Sequence, residues 1–296
     1  FYLQESLDLF KNRVNVIAAA RYDRFDMQTK HPDSGHIPNF NEKRETYDHI
    51  SPKLGVGVKF LDQLLRVRAN VGQGFKSPSA DQLSADHVKD GTRYLGNPDL
   101  DPETSLTYDV GFDIYHDNLN FNASYFHTDH EDKIVDDSIE IDGVETRTYV
   151  NHGEAEMEGF ELGLVWWIGR TFDWNADLSL WSNATFNTTK EDKETDEDLL
   201  YISDHELKSG LDMTYRKLTT QLSYTLIGPQ MITNYDTYED EEKGGFEFWD
   251  LTLSYKFMQR WTAKASVLNL FDDRVEWARG YLMPERNYRI GVSYTF

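Results

Sequence analysis

Tyr288-Arg289-Ile290-Gly291-Val292-Ser293-Tyr294-Thr295-Phe296 closes the chain with apolar side chains alternating against small or polar ones, and the final residue is an aromatic. Period-two alternation marks a β-strand with two unlike faces. In a soluble sandwich the apolar face would need a second sheet over it. In a transmembrane β-barrel that face meets lipid and needs no cover. The stretch therefore poses a choice between two all-β architectures.

Working outward from it, the same alternation recurs along most of the chain. Leu65, Val67, Ala69 and Val71 alternate with Arg66, Arg68, Asn70 and Gly72. Leu106, Tyr108, Val110, Phe112 and Ile114 alternate with Thr107, Asp109, Gly111 and Asp113. Leu218, Leu222, Tyr224 and Leu226 oppose Thr219, Gln221, Ser223 and Thr225, and Trp249 through Phe257 behaves alike. Periodicity alone does not choose between sandwich and barrel. The connections do, because they fall into two alternating classes. Tight ones lie at Leu61-Asp62-Gln63, His116-Asp117-Asn118, Gly169-Arg170-Thr171, Arg216-Lys217 and Met258-Gln259-Arg260. Long polar ones span 28–48, 74–104, 134–146, 188–204, 229–245 and 272–285. Short turns at one end and long loops at the other are the pattern of an up-and-down barrel with periplasmic turns and extracellular loops.

The expected strands are 1–8, 14–27, 49–60, 64–75, 105–115, 119–133, 147–168, 172–187, 205–215, 218–228, 246–257, 261–271 and 286–296. That is about 13, an odd number where complete bacterial barrels have even ones. With Phe1-Tyr2-Leu3 opening inside a strand and no signal peptide ahead of it, the chain reads as the C-terminal portion of something longer, one barrel unit over residues 1–296.

Composition narrows the function. The 296 residues carry 30 Lys+Arg against 52 Asp+Glu, a net charge of −22, which argues against a nucleic-acid partner. No apolar run is long enough for a membrane helix. Aromatic residues make up 14%, a load that fits either a large β core or the aromatic girdles of a barrel. Cysteine is absent and says nothing of redox compartment.

Three segments resemble the C-terminal part of TonB-dependent outer-membrane receptors of the siderophore and haem type. The first is Gly74-Phe75-Lys76-Ser77-Pro78 with Gly96-Asn97-Pro98-Asp99-Leu100-Asp101-Pro102-Glu103-Thr104, similar to the family's GF(K/R)xP and GNPxLxPE(T/S) boxes. The second is Asn151 through Ala155 with Gly159-Phe160-Glu161. The third is Asn269-Leu270-Phe271-Asp272, the NLFD box, followed by the closing strand. The resemblance covers essentially the whole chain. It implies a barrel of roughly 22 strands with a plugged lumen. It also implies a Gram-negative outer-membrane location, and a plug and TonB-contacting segment outside this chain. Tyr288, Ile290, Val292, Tyr294 and Phe296 match the family's C-terminal signal for the barrel-assembly machinery.

The motif residues have scaffold roles as their ordinary reading. Pro78, Pro98 and Pro102 fix φ and lack an amide proton, which shapes a loop. Asn97 and Glu103 are expected to bond loop backbone, and Phe75, Asn269 and Phe271 to be structural motif residues and not ligand contacts.

No catalytic constellation is present: there is no phosphate loop, HExxH pair, cysteine nucleophile or GxSxG elbow. The resemblance implies binding and gating, not an enzyme. His127 and His130 sit among carboxylates and are the only metal-like pattern; without further ligands it reads as a polar strand end. His87 lies between the FKSP and NPDL boxes, where haem receptors of the family carry an axial histidine. Arg93, Tyr94, Tyr235, Tyr238, Trp277, Arg279 and Tyr281 supply loop rings and guanidinium groups suited to an anionic chelate. For each the competing role is loop packing. The expected cargo is an iron–siderophore complex, with haem through His87 as the alternative; cobalamin, another metal chelate and a passive porin rank lower. No covalent cofactor is expected. The acidic runs 191–198 and 238–242 read as solvated tips, able to hold divalent cations against lipopolysaccharide.

Overall fold

The computed structural model describes residues 1–28, 44–89, 91–141, 143–234, 237 and 239–296. Thirteen strands follow one another as antiparallel neighbours in chain order: Tyr2–Leu9, Val14–Gln28, Arg44–Phe60, Leu65–Lys76, Glu103–His116, Leu119–Ile141, Val144–Trp166, Asp177–Asp192, His205–Tyr215, Leu218–Ile227, Phe246–Lys256, Trp261–Leu268 and Asn287–Tyr294. This is a continuous meander, and the first and last strands pair on one side only. Three short strands attach to the long-loop end of the same sheet.

Exposure settles the choice between sandwich and barrel. Among the described residues, buried apolar side chains such as Leu83, Leu100, Ile134, Ile232 and Val275 belong to the long-loop end. The apolar faces of the strands are bare: Val110 is 51% exposed, Leu253 39% and Ile290 88%. A soluble domain would not leave a contiguous apolar surface of this extent in water. Aromatics frame it. Near the short turns lie Trp166, Phe172 and Trp174, whose successive rings are 6.3 and 5.7 Å apart, and Trp261, Tyr294 and Phe296, spaced at 5.0 and 5.1 Å. Higher on the wall lie Tyr125 with Phe160 at 5.4 Å and Tyr224 with Trp249 at 4.6 Å. Two aromatic belts around an aliphatic band are what a bilayer selects. Among the described residues no helix is long and apolar enough to cross a membrane. Leu253→Arg, in the middle of that band, is expected to lower folding stability in vesicles by about 2–4 kcal/mol. Urea unfolding in lipid measures it; an unchanged midpoint would place this face away from lipid.

The opposite face is polar and lines the lumen. There Arg66 Nε lies 3.0 Å from Asp113, Arg68 lies 2.9 Å from Asp109 and 3.5 Å from Asp113, and Asn70 donates to Asp109 at 2.9 Å. Glycines give this face room. At Gly159 a Cβ would meet the Phe186 carbonyl oxygen at 2.1 Å, so the two strands can close only on glycine.

Two expectations about connections are corrected. The long loop over 134–146 is instead the tip of a hairpin between two 23-residue strands, Leu119–Ile141 and Val144–Trp166, paired up to Ile141 and Val144. Its polar residues alternate on a β-prone backbone, and above a bilayer both faces of a strand can be polar. The tight turn at Gly169 is wider: Ile168–Thr171 forms a helical turn and the next strand starts at Asp177. Trp166 Nε1 donates to Thr171 Oγ1 at 2.9 Å, which folds the aromatic belt across this connection. The long connections at 74–104, 229–245 and 272–285 are present as expected, and they carry small hairpins and a short helix that shape them into covers at the long-loop end.

Candidate functional site

The most structured of these covers runs from Ser77 to Pro102. Ser79 caps the helix Ala80–Ser84: its hydroxyl accepts from Gln82 N at 3.2 Å, and Gln82 Oε1 accepts from Ser79 N at 2.8 Å. Such reciprocal caps satisfy amides that a short helix leaves open. A hairpin follows, Asp86–Lys89 with Thr92–Leu95, and Tyr94 and Arg93 then pair in parallel with Arg147 and Thr146 of the long hairpin.

The GNPxLxPE box staples this cover to that hairpin. Asn97 Nδ2 donates to the Tyr149 carbonyl at 2.9 Å, while its Oδ1 accepts from Asp99 N at 2.9 Å. Asn151 Oδ1 accepts from Asp101 N at 2.7 Å, and Asn151 Nδ2 donates to the carbonyls of Asp101 and Asp132, both at 2.8 Å. Glu103 binds Lys76 at 3.0 Å and accepts from Ile134 N at 3.3 Å. Gly96 passes so close that a Cβ would meet Ser84 N at 2.4 Å. Pro78 is fully buried. Leu100 and Leu83 pack with Tyr47 and Ile134, bordered by Met27, Phe75 and Tyr149. Phe75 also stacks on His49 at 4.8 Å and lies 5.8 Å from Phe25. Burial, reinforced by the nearby Asp81 carboxylate, pushes the Tyr149 phenol up to about 12, so it stays a hydrogen-bond donor at any physiological pH.

The cover presents the candidate binding residues on its outer hairpin. His87 is exposed and stacks on Tyr94 at 5.3 Å with an angle of 8° between rings. Arg93 is not a free anion receptor, because its guanidinium grips Asp86 through two hydrogen bonds of 3.1 and 3.2 Å. A second group sits where the hairpins Gln230–Asn234 with Glu239–Lys243 and Glu276–Ala278 with Tyr281–Leu282 approach each other. Trp277 packs on Phe246 at 5.4 Å and its carbonyl accepts from Gln230 Nε2 at 3.2 Å. Arg279 is paired with Glu241 at 2.6 Å, and Tyr281 is 71% exposed. The structure thus brings His87, Arg93 and Tyr94 together, and Arg279 with the neighbouring hairpin. Tyr235 and Tyr238 lie outside the described residues.

At the other end of the chain, the NLFD box is a turn lock. Buried Asn269, at a φ of +53°, accepts from Asp273 N at 2.9 Å and donates to the Asp273 carbonyl at 2.7 Å, and its own amide donates to Asp250 at 2.8 Å. Phe271 points out, 6.5 Å from Trp249. Tyr288, Ile290, Val292, Tyr294 and Phe296 are all exposed on the lipid side. His127 and His130 do not form a pair. His127 faces outward beside Tyr108, while His130, opposite Ser105 and Ala155, faces the lumen. Three residues apart on a strand means opposite faces. Burial holds the His130 imidazole below its ordinary pKa.

Two contributors escaped the sequence reading. Asn151, the main staple of the cover, stood inside a recognised motif, but its partners lie 19 and 50 residues away. The lumen network of Arg66, Arg68, Asp109 and Asp113 was visible as charges on one face; only the register of the strands pairs them.

Comparison with known proteins agrees with this architecture. The family described as TonB dependent receptor-like, beta-barrel matches residues 1–270. The ferric enterobactin receptor PirA of Pseudomonas aeruginosa is 26% identical over 280 residues, covering 83% of this chain and 36% of the relative. The siderophore receptor PirA of Acinetobacter baumannii superposes with a TM-score of 0.74 at 20% identity, over all of this chain and 45% of that one. The copper transporter OprC does so with 0.77 at 16% identity, over all of this chain and 48% of that one. The chain spans less than half the length of each of these proteins. A meander with lipid-facing girdles, a polar lumen face and a stapled cover, matched by the family along nearly its whole length, leads to one conclusion: this chain belongs to the TonB-dependent receptors of the Gram-negative outer membrane, as part of their β-barrel.

Proposed function

We propose that the protein containing this chain captures a ferric siderophore at its extracellular mouth and imports it with energy delivered by TonB. The observation that carries this reading is the cover over 77–102, held on the long hairpin by Asn97, Asn151 and Glu103 and carrying exposed His87 stacked on half-buried Tyr94. A rigid base beneath a stacked ring pair is a pre-organised surface for a bulky, planar-ringed chelate. The relative from Pseudomonas aeruginosa, named a ferric enterobactin receptor, supports iron chelates as the class. Binding and gating account for the work, and no covalent chemistry is assigned. Partners outside this chain are the plug, through it the TonB complex, and the barrel-assembly machinery reading Tyr288 to Phe296. Lipid and lipopolysaccharide surround the wall.

The two candidate guanidinium groups, those of Arg93 and Arg279, are already neutralised by Asp86 and Glu241. Charge attraction from these two is therefore a minor contribution, and ring contacts carry more of the affinity. The test uses the full-length protein in detergent micelles, titrated separately with a ferric catecholate siderophore and with haem. Siderophore binding weakened about tenfold or more by Tyr94→Ala supports the reading. A haem Soret shift that His87→Ala abolishes, with no siderophore binding, would replace it by haem uptake.

A further inference from the structure

We propose that His127, Asp129 and Glu156 form a divalent-metal site, suited to zinc, on the outward face of the barrel wall just above the lipid band. It is separate from the cargo mouth, because these side chains project from the outside of the long hairpin. Register places them: His127 lies opposite Glu158 and Asp129 opposite Glu156, on the face that carries Tyr125 and Phe160 lower down. One ligand atom from each of the three residues falls within 4.8 Å of the others. Zinc holds nitrogen and oxygen ligands at about 2.0–2.2 Å, so binding requires the two carboxylates to turn in on one ring nitrogen.

The imidazole itself points to a cation. Its Nε2 is 3.1 Å from Asp129 Oδ2, while its Nδ1 is 3.6 Å from Glu158 Oε2 and 3.7 Å from Glu156 Oε1. Carboxylates therefore face both ring nitrogens, yet a neutral imidazole has one N–H. In the metal-free ring Nε2–H donates to Asp129; moving that proton to Nδ1, on the Glu158 side, frees the Nε2 lone pair for a cation shared with Asp129. Glu158 is suited to that orienting role: it also accepts from the hydroxyls of Tyr125 and Thr189 and is fixed by them. Carboxylates that orient metal-binding histidines in this way are a recurrent outer shell. The ring is further fixed by stacking on Tyr108 at 4.8 Å, and the side chain is only 12% exposed.

Lys193 completes the charge arrangement without occupying the ligand atoms. Its ammonium takes Glu156 Oε2 at 2.6 Å and Asp129 Oδ1 at 3.4 Å, whereas the oxygens facing the imidazole are Oε1 and Oδ2. Each carboxylate thus divides its two oxygens between the Lys193 ammonium and the imidazole. The alternative that uses no metal is an imidazolium, with His127 as the hub of an ion-pair cluster.

The experiment is zinc titration by calorimetry of the full-length, chelator-treated protein in detergent micelles. One equivalent should bind to the wild type. His127→Gln should abolish it, Glu158→Gln should weaken it by about 10–100-fold, and His130→Gln, on the lumen face, should leave it unchanged. Lys193→Met should retain it. Heat-dependent gel mobility confirms that each variant is a folded barrel. No saturable zinc binding by the wild type, or binding that survives His127→Gln, overturns the proposal and leaves the ion-pair hub. Neither result bears on cargo at the mouth.

Discussion

Asn151→Ala is expected to unfasten the cover over 77–102 while leaving the barrel folded. The side chain makes three hydrogen bonds, of 2.7, 2.8 and 2.8 Å, that tie Asp101 and Asp132 together across the mouth. Each is worth about 1 kcal/mol net, and partial solvent access lets water recover a part, so the loss comes to about 2 kcal/mol. Because the bonds are local, the energy appears as opening of the cover, on the order of 30-fold more frequent. Hydrogen exchange at the amides of Asp99 and Asp101 measures it directly. Wild-type exchange rates at both amides would show that the apolar packing of Leu83 and Leu100 holds the cover unaided. If the cover is the cargo's base, affinity falls with it.

A larger effect on the barrel itself is expected from Asp113→Ala. This carboxylate is 9% exposed and stands between Arg66 at 3.0 Å and Arg68 at 3.5 Å. The approach to Arg66 brings charges together without a well-aligned hydrogen bond, so its contribution is coulombic. Removing it leaves the guanidinium groups of Arg66 and Arg68 side by side on one face of the wall, with Asp109 still paired to Arg68. Breaking one partner of a buried pair costs about 3–5 kcal/mol, and the water of an open lumen brings the expectation to the lower end, about 3 kcal/mol. Urea unfolding in vesicles gives the number. Arg66→Ala in the same chain should restore part of it, since the uncompensated charge goes too. A loss under about 0.5 kcal/mol would mean that the network is screened like a surface pair.

The two predictions differ in how legible their residues were. Arg66, Arg68, Asp109 and Asp113 could be assigned to one face from alternation alone, since period two fixes side. That Arg66 meets Asp113 depends on a register in which these two are cross-strand partners, and no local pattern specifies it. Asn151 was legible as part of a motif, but its bonds reach a loop 50 residues away. His127 and His130 show the opposite failure. They were three residues apart in sequence and chemically alike, yet the pleat sends them to different faces, and His127 finds carboxylates on its own strand and the next. The misread segment 134–146 has a similar cause. Its strand continues above the lipid band, where no apolar face is required, so the pattern that signals a strand elsewhere fades.

The sequence by itself determined the thirteen-strand meander, the lipid-facing side of the strands with clear alternation and the end of the barrel that carries the long connections. Those follow from alternation and connection length, which are local and survive without knowledge of pairing. Tertiary structure alone decided what the covers are: a capped helix, small hairpins and an asparagine staple, with both candidate arginines already neutralised inside the loops. It also decided which charges meet across the lumen face and at His127. Such contacts join residues distant in the chain, and strand register, shear and loop packing set their distances only once the wall is assembled.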